Sequence, residues 1–183
     1  LNTAPGSRVR AKPFEVLLDQ DRIARRIEEL GRQISADYKG KKPVLVGVLK
    51  GCIVFLADLM RHLTIPVELE FVTAASYRNG IQPESEVVVG GEYSIALNGR
   101  HALIVEGIVD SGRTASLIIE RISRMEPASV ELVTLLDKPN SHRVDVSIKY
   151  RGFSIGNEFV IGFGMDNAQQ YRNLPYIGRV IES

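Results

Sequence analysis

Two acids, two hydroxyls, an arginine and two glycines fall within nine residues of "HALIVEGIVDSGRTASLIIERI" (101–122), between an apolar run and a helical pattern. Glu106 and Asp110 flank Gly107, Ile108 and Val109, and Ser111, Gly112, Arg113 and Thr114 follow at once. If "HALIV" is a strand ending at Val105 and a helix begins near Ala115, this loop lies at the carboxyl edge of a sheet and at the positive end of a helix. Unpaired backbone N–H groups gather there and favour an anion. A glycine at 112 lets the chain approach that anion closely. The spacing fits neither GxGxxG nor GxxxxGK[ST], which excludes the two commonest nucleotide-binding loops. From the residues alone, Ser111 and Thr114 serve equally well as helix caps, and Asp110 as a solvated loop acid.

Other chemistries find less support. Cys52 is the only cysteine and sits in the apolar run "CIVFLADL", which suits a small buried hydrophobe. His62, His101 and His142 lack ligand spacing, which favours surface or internally satisfied histidines over a metal or triad site. Ser111 is not in a GxSxG elbow. A net charge of +1 with interspersed signs gives no broad attraction for a polyanion, so nucleic acid is not an expected partner. No apolar stretch reaches the about 18 residues a membrane span needs, nor do the first residues form a signal-peptide core, so a cytoplasmic location is expected.

The loop needs elements to position it. With 183 residues and 44% hydrophobic content, the chain suits one domain with a substantial core. Residues 1–13 are polar and basic and are expected to be a mobile arm, with a single domain over 14–183. Ile23, Ile27, Leu30, Ile34 and Tyr38 recur at helical spacing over 19–38. "PVLVGVLKG" (43–51) fits a strand buried on both faces, and 52–63 has helical length. "PVELEFV" (66–72) alternates like a strand with one wet face, which suits an edge. The polar stretch 76–86 is expected to be a long exposed loop, and "VVVGGEYSIAL" after it carries weaker strand signals. A strand at 101–105, a helix at 115–125 and strands at 130–136 and 144–149 complete an α/β pattern. The expected fold has a largely parallel sheet flanked by helices, with ligands at its carboxyl edge.

"VEGIVDSGRT" closely resembles the 5-phosphoribosyl-1-pyrophosphate (PRPP) signature of the type I phosphoribosyltransferases. "VGVLKG", "SY" at 76–77, "GRHALIVE", "PASVELVTLLDKP", "EFVIGFGMD" and "YRNLPYIG" resemble the hypoxanthine-guanine phosphoribosyltransferases in the same order, over about residues 14–180. The resemblance implies the type I fold with a small hood and a mobile loop. It also implies a magnesium-dependent salvage reaction, in which PRPP and a 6-oxopurine give a nucleoside monophosphate and pyrophosphate, usually in a homodimer or homotetramer.

The same resemblance assigns roles. Asp110 is the acid/base near the purine N7. With Asp110, residues Ser111, Gly112, Arg113 and Thr114 hold the 5'-phosphate. Lys50, Gly51 and Arg172 bind pyrophosphate, and the Leu49–Lys50 peptide can be cis. Lys138 donates to the 6-oxo group, Phe159 stacks on the base and Val160 meets its edge. Asp166 borders the purine site and holds magnesium on pyrophosphate. Ser76 and Tyr77 head the mobile loop. Taken singly, Lys50 also suits a surface position, Phe159 a core position, and Asp166 and Arg172 a surface ion pair.

Gly107 departs from the pattern, because relatives usually carry an acidic pair where this chain has Glu106-Gly107. The pair serves the ribose hydroxyls and their magnesium. Losing one charged partner is expected to weaken PRPP or nucleotide binding by about 1.5–3 kcal/mol, and Gly107→Asp to restore it. The missing acid also keeps open a second reading, a catalytically weak or inactive PRPP- or nucleotide-binding regulator on the same fold. A purely structural module explains none of the ordered motifs.

Overall fold

The computed structural model describes residues 14–77, 86–90 and 96–181. The expected basic arm lies outside them.

Helix α1 (Gln20–Asp37) starts where Asp19 accepts a hydrogen bond from Arg22 N at 2.8 Å, and it buries the predicted stripe Ile23, Ile27, Leu30 and Ile34. Strand β2 (Val44–Leu49) follows, then α2 (Ile53–Arg61) and β3 (Glu68–Tyr77). After β4 (Glu86–Gly90) come β5 (His101–Val109), α3 (Arg113–Ser123), β6 (Ser129–Asp137) and β7 (Tyr150–Ser154). The main sheet has the order β4-β3-β2-β5-β6-β7, parallel except for β4, which runs antiparallel at one edge. β1 (Phe14–Leu18), β8 (Val160–Ile161) and β9 (Ile177–Val180) form a separate antiparallel sheet in the order β1-β9-β8, the small region expected as a hood.

Alternation along β2 explains why it reads as continuously apolar. Leu45 belongs to one core with α1, α2, Leu103 and Val133. Val44, Val46 and Val48 belong to another with Ile104, Leu132, Ile118 and Ile122. The sheet is thus covered on both faces, as parallel sheets require. The chain leaves β2 through α2 toward β3 and leaves β5 through α3 toward β6, so the connections diverge between β2 and β5. Such a divergence opens a crevice at the carboxyl ends of the strands.

Several expectations on element boundaries are corrected. β5 continues through Glu106 and Gly107 to Val109, because β6 offers a ladder of equal length with pairs such as Glu106↔Thr134 and Ile108↔Leu136. β3 is not an edge strand, since β4 pairs outside it. Ser76 and Tyr77 are the last residues of β3, Tyr77 pairing with Glu86, and so are not part of an open loop from 76 to 86. Residues 78–85 lie outside the described residues. No strand forms at 144–149. Val146 is buried and Val144 and Ile148 pack on the core, but the ladder beside β6 begins at Tyr150.

Leu103 is fully buried in β5. Leu103→Ala is expected to destabilise the fold by about 2–5 kcal/mol in urea unfolding; a loss below about 1 kcal/mol would show that the core there collapses freely.

Candidate functional site

The register of β5 and β6 pairs Val109 with Asp137, so the next residues, Asp110 and Lys138, leave the sheet side by side. Lys138 N–H donates to Val109 O at 2.9 Å, which holds the two strand ends together. The side chains then meet, with Lys138 Nζ 2.9 Å from Asp110 Oδ2. Lys138 is almost wholly buried (7% exposed) whereas Asp110 is open (56%). A buried ammonium needs an acceptor, and Asp110 supplies it at the surface of the cleft.

Beyond Asp110 the chain turns into α3 through Gly112, whose φ of 79° is left-handed and which caps the helix without a side-chain bond. That rules out Ser111 or Thr114 as the N-cap. The helix begins at Arg113, two residues earlier than expected. Glu106, Ile108, Val109, Asp110, Ser111, Gly112, Thr114 and Ala115 line a cavity of about 100 Å³. Its floor is the first turn of α3, where backbone N–H groups lack helical partners. The cavity can take a small anion.

Glu106 reaches this cavity from within β5. Its residue keeps some surface, but Oε2 is buried without a hydrogen-bond partner. The buried oxygen decides its behaviour: burial pushes the carboxyl up to about 8, opposed by a backbone hydrogen bond from Gly107. Oxygen donors of this kind fit a hard divalent cation, which would favour the ionised form.

Gly107 sits on the other side of the strand by alternation. A Cβ there would lie 2.7 Å from Gly51 O and 3.0 Å from Gly51 C. At Gly164, with φ 97°, a Cβ would lie 2.3 Å from that same oxygen. The Gly51 carbonyl is therefore packed between two glycines. An aspartate at 107, which the resemblance expects to restore a ribose contact, would bring its Cβ against this carbonyl, and the 50–51 loop would have to shift to admit it. The Leu49–Lys50 peptide is cis, and Lys50 is exposed. Cys52, fully buried, has its thiol pushed up to about 12 by burial, and packs as the expected hydrophobe.

Arg172 organises a second group of residues, outside the lining of that cavity. Its guanidinium donates to Gly164 O at 2.7 Å and pairs with Asp166 Oδ1 at 2.7 Å, while Gly164 N–H donates back to Arg172 O. Asp166 Oδ2 accepts from Gln169 N at 2.8 Å. Phe163, Ala168, Gln169 and Tyr171 all have positive φ in this segment, a concentration of strain of the kind found at functional loops. Through Gly164 and Gly51, Arg172 and Asp166 are connected to Lys50 and Gly107. Phe159 is half exposed (49%) rather than a core residue, and Val160 beside it is buried in β8. The side chains of Ser76 and Tyr77 lie outside the described residues.

Sequence reasoning missed two groups. Asp137 is fully buried behind Lys138, and His142 Nε2 lies 2.7 Å from its Oδ1. Their meeting depends on how the connection after β6 folds back on that strand. His101 is satisfied internally, 2.8 Å from Ser129 Oγ.

The chain matches the phosphoribosyl transferase domain over residues 14–168. It belongs to that family. It is 46% identical to the hypoxanthine phosphoribosyltransferase of Salmonella typhimurium over 169 residues, covering 91% of this chain and 95% of that one. It is 44% identical to the bifunctional protein TilS/HprT of Listeria innocua over 164 residues, 90% of this chain but only a quarter of that relative's length. Among solved structures, a hypoxanthine-guanine phosphoribosyltransferase from Bacillus anthracis superposes with a TM-score of 0.87 at 35% identity, covering 93% of this chain and 100% of that one. The α/β fold with its largely parallel sheet is thus that of the family. Among the described residues no helix is long and apolar enough to cross a membrane.

Glu106 gives a pH-dependent stability. Its carboxyl is raised from 4.5 to about 8 in the fold, so the folded state holds a proton that the unfolded chain releases over that interval. Without divalent cations, stability is expected to be highest below about 4.5 for this group and to fall as pH rises toward about 8. Glu106→Gln removes that part of the slope in unfolding titrations; an unchanged slope would refute the assignment.

Proposed function

We propose that the chain transfers the phosphoribosyl group of PRPP to hypoxanthine or guanine, giving IMP or GMP and pyrophosphate, as a magnesium-dependent purine-salvage enzyme of the cytoplasm. Residues 14–183 act as one domain, assembled as a homodimer or homotetramer. The observation that carries this reading is the Lys138–Asp110 pair, 2.9 Å apart at the head of an anion-binding turn.

A lysine ammonium has donors only, so Lys138 favours the carbonyl of a 6-oxopurine over the amino group of adenine. Asp110 then lies next to the base's imidazole edge. As N9 bonds to C1 of the ribose, the C1–O bond breaks with its electron pair going to pyrophosphate. The N7 proton passes to Asp110. Ser111, Gly112, Arg113 and Thr114 hold the 5'-phosphate through backbone amides and hydroxyls. Lys50, Gly51 and Arg172 take the pyrophosphate, the arginine with a planar fork suited to phosphate oxygens. The exposed ring of Phe159 stacks on the purine and the Val160 backbone meets its edge. Glu106, with its unpartnered oxygen, and Asp166 would hold magnesium, which would supply positive charge to offset that of the departing pyrophosphate. Ser76 and Tyr77, at the end of β3, match the residues that head the site-shielding mobile loop of the family.

Incubation with PRPP, magnesium and each purine is expected to yield nucleotide from hypoxanthine or guanine and none from adenine. Asp110→Asn should lower kcat by about 10²-fold. Nucleotide binding without product from any 6-oxopurine would instead favour the regulator.

Gly107 gives an independent check. Gly107→Ala should raise KM for PRPP by about 5- to 100-fold by pushing Gly51 away, the scale of local overpacking, and Gly107→Asp should do no better. Tighter PRPP binding in the aspartate variant would contradict the packing argument.

A further inference from the structure

Residues 138–146 leave β6 and cross the site before β7 begins, and their anchors fall on separate parts of it. Lys138 pairs with Asp110. Ser141 Oγ donates to Asn157 Oδ1 at 2.8 Å, tying the strap to the segment that ends in Phe159. Arg143 N–H donates to Ser111 O at 2.9 Å. Gly112 lies so close under the strap that a Cβ would meet methyls of Val146 and Val144 at 3.0 and 3.2 Å. One short stretch therefore carries the purine lysine and touches the aromatic segment and the phosphate turn.

The start of the strap is not held by apolar burial. Its 3-10 turn, Pro139–Ser141, buries no residue. Polar contacts hold it instead. His142 Nε2 lies 2.7 Å from Oδ1 of Asp137, a carboxylate with no exposed surface. The other oxygen, Oδ2, lies 2.7 Å from Arg151 Nε but without an aligned hydrogen bond. A buried carboxylate satisfied in this way depends on the histidine, and the histidine in turn is fixed to the end of β6.

We propose that His142 is a positioning residue: by clasping Asp137 it sets the spacing between Lys138 and the Ser111–Thr114 turn, and so the fit of base and 5'-phosphate together. It touches no substrate atom. Lys138 and Ser111 serve opposite ends of one nucleotide, so a loosened strap weakens binding at both ends more than it slows the bound complex. The inference rests on the transferase reading given above.

The test is steady-state kinetics of the full chain with PRPP and hypoxanthine, alongside thermal unfolding and titration with IMP. His142→Ala is expected to raise KM for both substrates and Kd for IMP by about tenfold, the scale of one charge-assisted hydrogen bond, with kcat changed less than about threefold. His142→Gln places an amide donor near the position of Nε2 and should recover most of the loss. Asp137→Asn, which weakens the clasp from its other end, should show the same KM pattern. KM and Kd values within about twofold of the parent in the alanine variant would overturn the proposal. So would a fall in kcat alone, or a glutamine variant of parental melting temperature that binds as poorly as alanine. Absence of turnover in the parent chain would count against the transferase reading, and the IMP titration would still decide the clasp.

Discussion

The site depends on the register between two parallel strands. Because Val109 stands opposite Asp137, the chain after each strand starts level with the other, and Asp110 and Lys138 meet without any long-range adjustment. A slip by one residue would turn every side chain of a strand to the other face. Both faces are filled here, by α1 and α2 on one side and α3 on the other, so the core itself enforces the register. Burial fixes the strands, and the strands fix the distance between an acid and an ammonium.

A second constraint is close backbone approach. A Cβ at Gly107 or Gly164 would lie 2.7 or 2.3 Å from the Gly51 carbonyl oxygen, so a side chain at either place would require this backbone to shift. Arg172 completes that arrangement by holding the Gly164 turn from behind through its carbonyl and through Asp166. The position that departs from the family pattern is thus closely packed here as well as uncharged. The 50–51 loop, the end of β5 and the Arg172 turn form one packed unit.

Much of this was legible in the sequence, unevenly and for physical reasons. The 3.6-residue stripe of α1 and the apolar run of β2 gave those elements to within a residue or two, because burial on one or both faces writes a simple period. The turn into α3 was legible at Ser111 to Thr114, although the helix begins at Arg113, two residues earlier than expected. Strand ends were harder. Glu106 looked like the first loop residue since an acid interrupts an apolar run, yet the equally long β6 kept it in the ladder. Val144, Val146 and Ile148 alternate like a strand because they cover Gly112 and the core, and alternation reports a covered surface rather than a hydrogen-bonded neighbour. Asp137 and His142 carried no signal at all, since their meeting depends on how the strap folds back on β6. The tight fit at Gly107 was equally hidden, being set by a backbone more than fifty residues away in the chain.

The most direct measurement is a crystal structure of the chain with IMP bound. The account predicts O6 of the base within hydrogen-bond distance of Lys138 Nζ, N7 facing Asp110, and the 5'-phosphate seated on the backbone of Ser111 to Thr114. A nucleotide whose base lies away from the Lys138–Asp110 pair, or whose phosphate is bound outside that turn, would contradict it.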